Sequence, residues 1–106
     1  IQGGDPTQTG TGAPGYKTVD VPKADVTYMK GVVAMAKTAD ETAGTSGSQF
    51  FVVTGDDIGL PPGDPVVGTV TEGMDVVERI DALGDATTEQ PLQPVVIHSV
   101  TAASSP

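Results

Sequence analysis

Apolar positions in this chain fall into short valine-rich runs separated by glycine and proline. Residues 31–36 read as a short buried strand, with Val32, Val33, Ala34 and Met35 in one run. Residues 48–54 carry the strongest strand signal: Phe50, Phe51, Val52 and Val53 follow one another between Gly47 and Gly55. That run is continuous rather than alternating, which predicts cover on both faces. Residues 65–73 predict a further strand around Gly68, and residues 94–100 a closing strand. One helix is predicted over 74–83, where Val76, Ile80 and Leu83 fall at i, i+4 and i+7 with Val77 beside them. Gly84 follows at the place of a left-handed C-terminal cap. Asp75 and Arg79 stand four apart in the order that suits a surface pair.

The intervening segments read as loops. Residues 1–15 hold Gly3, Gly4, Gly10, Gly12 and Gly15 with Pro6 and Pro14, which forbids a stable helix. Residues 16–30 read as extended or irregular surface structure, residues 37–47 as an exposed loop and residues 56–65 as another loop. With about four strands and one helix, the pattern predicts a mainly β domain, a small barrel or sandwich carrying a helix.

Composition agrees and narrows the functions. At 106 residues the chain is one domain at most. Its 15 valines against 3 leucines favour strands. No cysteine is present, so a disulfide scaffold and a Cys-ligated zinc site are excluded. Five basic against 14 acidic residues give a net charge of −9, and no nucleic-acid partner is expected. No apolar run approaches the roughly 18–20 residues of a membrane-spanning helix. The chain opens on Ile1 rather than Met, so a processed chain or part of a longer polypeptide is expected.

Most candidate chemistry is weak. Gly10 to Gly15 matches a GxGxxG pattern, but Pro14 interrupts it and neither strand nor helix flanks it as a dinucleotide site requires. His98 is alone in its predicted strand and reads as structural or exposed. Ser48 and Ser99 sit in no nucleophile elbow. Asp56, Asp57, Glu72, Asp75 and Glu78 lack calcium-loop spacing and read as solvated surface charge. No metal or other cofactor is expected.

Several motifs carry a more specific message. They are Ile1-Gln2-Gly3-Gly4-Asp5, then Gly10-Thr11-Gly12 before Gly15-Tyr16, then Val33-Ala34-Met35-Ala36. Gly47-Ser48-Gln49-Phe50-Phe51-Val52 follows after a loop. Val66-Val67-Gly68-Thr69-Val70 comes next, with Glu72-Gly73-Met74-Asp75-Val76-Val77 after it. In this order and spacing they resemble the cyclophilin family of peptidyl-prolyl cis–trans isomerases. The resemblance runs from residue 1 to about 101, leaving 102–106 as a polar tail. The loop around Leu60-Pro61-Pro62 is similar to bacterial members.

The resemblance implies a fold, an eight-stranded closed β barrel with capping helices, and an activity, isomerisation of Xaa-Pro bonds that assists protein folding. Gln2, Phe51 and Leu60 match catalytic positions: the amide that hydrogen-bonds substrate backbone, the aromatic floor of the proline pocket and its aliphatic wall. Gly10, Thr11, Ala36, Lys37 and Gln49 match substrate-binding positions for the residues before the proline. Lys37 replaces a common asparagine, Gly59 a tryptophan used in cyclosporin binding, and Asp64 lies near a pocket-rim histidine. The family's arginine donor and a Phe-Met pair of its pocket match a segment preceding Ile1. The barrel is therefore expected to be incomplete here, its first strands and first helix absent. The partners implied are proline-containing polypeptides, with a larger assembly or a further N-terminal segment completing the barrel. Localisation, cytoplasmic or exported to the cell envelope, would be decided in that segment. The alternative function is a non-catalytic cyclophilin-like module that binds proline-containing segments or serves as a subunit of an assembly.

Overall fold

The computed structural model describes residues 1–104. Along the chain run β1 (Gln2–Gly3), β2 (Thr18–Val19), β3 (Val32–Met35), β4 (Thr45–Ser46), β5 (Phe50–Val52), β6 (Val66–Thr69) and helix α1 (Met74–Asp81). Four strands form an antiparallel sheet in the order β1-β5-β3-β6, and β2 pairs with β4 apart from it.

The apolar run at 48–54 became β5, which is paired on both edges. Gln2 and Ala34 both lie opposite Phe51, while Gly3 and Met35 both lie opposite Phe50. Since side chains alternate along a strand, Gln2, Phe51 and Ala34 share one face. That face carries the core: Tyr28, Val32, Ala34 and Val53, with Val26 and Phe51 packed against them. Phe50, Val52, Met35 and Val33 share the other face. Of these only Val52 is buried. The continuous run therefore marks a central strand, but the cover expected on both faces is full only over parts of each.

Tyr28 ties the core to the 56–65 loop. Fully buried, its hydroxyl donates to the Asp64 carbonyl at 2.7 Å and accepts from the Asp64 and Gly63 N–H groups at 3.0 and 3.4 Å. One donor and two lone pairs are all that a phenol oxygen offers.

Several expectations are corrected. Residues 1–15 contain strand β1, whose two residues find a partner 49 positions or so away in β5. The 37–47 loop ends in a buried strand, β4, because the Thr45 hydroxyl donates to the Thr42 carbonyl and the Ser46 hydroxyl bonds Thr18. The strand expected at 94–100 has no ladder partner among the described residues and is exposed. His98 is exposed with it. The tail is exposed and without regular secondary structure through Ser104, and residues 105–106 lie outside the described residues. The helix ends at Ala82 in right-handed conformation rather than in a glycine cap, since Leu83 and Gly84 continue as a tight turn onto Ile80 and Asp81. The left-handed glycine is instead Gly73, at the helix start. The half-buried helix positions are Met74, Val77 and Ile80, followed by Leu83; Val76 is 45% exposed. The i, i+4 stripe was therefore offset, and no helix residue is fully buried. Lys30 pairs with Glu78, and Arg79 stands 3.9 Å from Asp75 as expected.

A closed barrel is not formed among the described residues: β1 and β6 are free edges of an open sheet. No helix of the described residues is long and apolar enough to cross a membrane.

Replacing Tyr28 by Phe should destabilise the chain by about 1–3 kcal/mol, because two buried-loop N–H groups lose their acceptor. Urea unfolding should show a lower midpoint at unchanged slope, with faster amide exchange at Gly63 and Asp64. An unchanged midpoint would contradict the role given to the hydroxyl.

Candidate active site

Antiparallel pairing brings the first residues of the chain beside β5. The turn out of β1 needs glycine: Gly4 has φ +89°, and an added Cβ would lie 2.3 Å from the Ser48 carbonyl oxygen. The Ser48 hydroxyl closes this corner by donating to the Gly4 carbonyl at 2.7 Å.

Asp5 then builds the following loop. Its carboxylate accepts from the N–H groups of Thr7, Thr9, Gly10 and Gly12 at 2.7, 3.0, 2.5 and 3.2 Å, and from the Thr7 hydroxyl at 2.8 Å. Partial desolvation opposes its ionisation, but the Thr7, Gly12 and Gly10 hydrogen bonds outweigh it and hold the carboxyl well below the usual range. Gly12 must approach closely, since a Cβ there would sit 2.0 Å from Asp5 Oδ1. Hydroxyls of Thr7, Thr9 and Thr11 stand 2.8 Å apart in sequence. Thr7 donates to Asp5, so Thr11 donates toward Thr9, and its own oxygen keeps its lone pairs for another partner.

Gln49, just before β5, gathers these segments. Its Oε1 accepts from Gln2 Nε2 at 2.8 Å, and its Nε2 donates to the Gly10 and Gly12 carbonyls at 3.1 and 2.8 Å. Its backbone carbonyl accepts from the Ala36 N–H at 2.9 Å. The result is a groove of about 170 Å³. It is lined by Gln2, Gly10 to Ala13, Lys17, Ala36 to Thr38, Glu41 and Gly47 to Gln49.

Of the residues singled out in the sequence, Gln2, Gly10, Thr11, Ala36, Lys37 and Gln49 meet in this groove. Phe51 and Leu60 do not line it. Phe51 shares the Gln2 face of the sheet, but its ring is tilted 49° against Tyr28 at a 6.1 Å centroid distance. Leu60 stands in the loop after β5 and is 39% exposed. Asp64 is pushed up by burial, with the Lys37 charge acting against that rise.

Sequence reasoning missed Asp5, Lys17 and Glu41. Asp5-Pro6-Thr7 does carry a local signal, the side-chain-capped turn that Asp forms with the backbone two residues on. Lys17 and Glu41 carry none, because they pair across 24 residues. Lys17 bonds one Glu41 oxygen and the Thr38 N–H donates to the other at 2.9 Å, while the Thr38 hydroxyl lies 2.7 Å from Asp40 Oδ1 and 3.1 Å from Glu41. The Lys17 bond first, then those of Thr38, pull the Glu41 pKa down to about 2. Among the described residues no cluster of three His, Cys, Asp or Glu could hold a metal ion.

Comparison with known proteins agrees with these motifs. The family model described as cyclophilin type peptidyl-prolyl cis-trans isomerase/CLD matches residues 1–102. A probable peptidyl-prolyl cis-trans isomerase A of Mycobacterium leprae is 39% identical over 95% of this chain and 56% of its own length. Peptidyl-prolyl cis-trans isomerase A of Mycobacterium tuberculosis is 40% identical over the same shares, 95% and 56%. Peptidyl-prolyl cis-trans isomerase B of Streptomyces anulatus is 38% identical over 94% of this chain and 58% of its own. The chain thus spans a little over half the length of these curated relatives.

The depressed Glu41 pKa sets a pH window. A carboxylate whose folded pKa lies below its unfolded value of about 4.3 contributes stability above that value and loses it as pH falls toward about 2. The Thr38 amide proton shift should therefore titrate with a midpoint near 2. A midpoint at the ordinary carboxylate value would remove Glu41 from this network.

Proposed function

The chain belongs to the cyclophilin-type peptidyl-prolyl cis-trans isomerases, and on that premise we propose that it holds proline-containing polypeptide in an enzyme that interconverts cis and trans Xaa-Pro bonds and so assists folding. The observation that carries this is the convergence of Gln2, Gly10, Thr11, Ala36, Lys37 and Gln49 on one groove.

The chemistry asks for no covalent intermediate. An amide rotates over a barrier of roughly 18–20 kcal/mol because rotation breaks its resonance, and uncatalysed X-Pro exchange takes tens to hundreds of seconds. A catalyst need only bind the twisted amide better than the planar one. In this reading the backbone of Ala36 and Lys37 holds the substrate chain as a strand would. Gln2 lends its amide to a substrate carbonyl, exchanging its present bond to Gln49. Thr11, with its oxygen free to accept, and Gln49 border the residues before the proline. Phe51 serves as the floor under the prolyl ring and Leu60 as the wall. The twisted prolyl nitrogen becomes pyramidal and basic, and a donor aimed at it stabilises the transition state; the family's arginine supplies that donor.

The family's closed barrel belongs to the same proposal. Free edges at β1 and β6 are pairing surfaces. Val67, Val96 and Val100 are more than half exposed. Additional strands, from a further segment of the same polypeptide or from another chain, would pair with those edges and cover these side chains.

A second reading, a non-catalytic peptide-binding module, has one observation in its favour. The groove is built by this chain, while Phe51 and Leu60 stand outside it. A protease-coupled isomerisation assay on the longest polypeptide that contains this chain separates the two. The enzyme reading predicts acceleration, and Gln2→Ala should lower kcat/KM by about two- to tenfold, the worth of one neutral hydrogen bond. Peptide binding with no acceleration would leave the module and remove the enzyme.

A further inference from the structure

The charged side chains of the groove's lining are Lys17, Lys37 and Glu41. Lys17 and Glu41 stand 24 residues apart in sequence and meet there as an ion pair. Lys37 is the other cation in the lining, and Glu41 is the one carboxylate there. Lys37 donates to two backbone carbonyls, those of Thr38 at 3.2 Å and Glu41 at 3.5 Å, and forms no ion pair among the described residues. The lining therefore carries two ammonium groups against one carboxylate, with Asp40 acting on Lys17 and Asp64 on Lys37 from outside it, in a chain whose net charge is −9.

The two ends of the bridge are held unequally. The Glu41 side chain is 19% exposed and keeps the Thr38 N–H as a donor when Lys17 leaves. The Lys17 side chain is 54% exposed and has no other hydrogen-bond partner among the described residues. An exposed pair of this kind holds with little net free energy, so Lys17 is free to change partner. From these observations, and resting on the peptide-holding role proposed above, we infer that the groove selects acidic side chains in the residues preceding the proline, with Lys17 as the specificity-determining residue. The incoming carboxylate takes Lys17 from Glu41 and lies within reach of the unpaired Lys37 charge, while Glu41 remains anchored on Thr38. A basic side chain meets both ammonium groups, and the carboxylate of the lining is already bridged. At physiological salt the Debye length is about 8 Å, so the net negative charge of the whole chain is muted and the nearby ammonium groups decide.

Three acetylated peptides test this. Each has two Glu, two Gln or two Lys residues before a common Ala-Pro-Phe amide, and each is titrated into the full chain at about 0.15 M salt. The native chain should bind the Glu peptide about three- to fivefold more tightly than the Lys peptide, the scale of an exposed ion pair. Lys17→Gln should bring that ratio close to one, and Lys17→Glu should invert it. Equal affinity for the Glu and Lys peptides in the native chain, or a ratio that survives Lys17→Gln, would overturn the charge selection alone. Failure of all three peptides to bind would overturn both this selection and the peptide-holding role beneath it.

Discussion

Hydrogen bonding of β5 on both edges is the constraint from which the groove follows. One edge takes β1 and sets Gln2 beside Phe51; the other takes β3 and sets Ala34 there. Because the pleat alternates sides, a slip of one residue in either ladder would turn Gln2 or Phe51 to the opposite face. The same registers carry Gln49 to the start of β5 and Ala36 to the end of β3, where their backbones bond. Three segments far apart in sequence thereby meet at one end of a single strand.

Around that strand, buried and exposed ties do different work. The Tyr28 hydroxyl spends every hydrogen-bonding capacity inside the core and fixes the turn at Gly63 and Asp64. Asp5 does the corresponding service at the surface, where one carboxylate gathers four backbone N–H groups and shapes the loop that presents Gly10, Thr11 and Gly12. Gln49 couples that loop to the sheet through neutral hydrogen bonds, which salt does not screen. The Lys17–Glu41 bridge is a charged tie, and ionic strength can alter it.

The sheet's inner strands were legible because they are both apolar and bounded by glycine: residues 31–36 and 48–54 announce β3 and β5. The outer pieces were not. Gln2–Gly3 and Thr45–Ser46 are two-residue pieces outside any apolar run, and each pairs with a partner distant in sequence. Residues 94–100 show the reverse case, a valine-rich run with strand composition and no ladder among the described residues. The helix was legible in extent to within two residues, but its buried side was not, since Met74 and Val77 rather than Val76 turn inward. In the groove, Gln2, Gly10, Thr11, Ala36, Lys37 and Gln49 were named through the family resemblance, and they share one lining. Lys17 and Glu41 were not named, because nothing local in either segment signals a contact across the fold.

Taken together, the strand pairing, the Asp5-built loop and the Gln49 amide form a polar groove suited to an extended peptide. The central claim is that this groove, rather than another surface of the chain, receives the residues before a proline. Titrating an alanine-proline peptide into the isotopically labelled chain and following amide shifts tests it directly. The largest changes should fall on Gln2, Gly10, Thr11, Ala36, Lys37 and Gln49. Shifts confined to the Asp20–Val26 surface, or no shifts at saturating peptide, would contradict it.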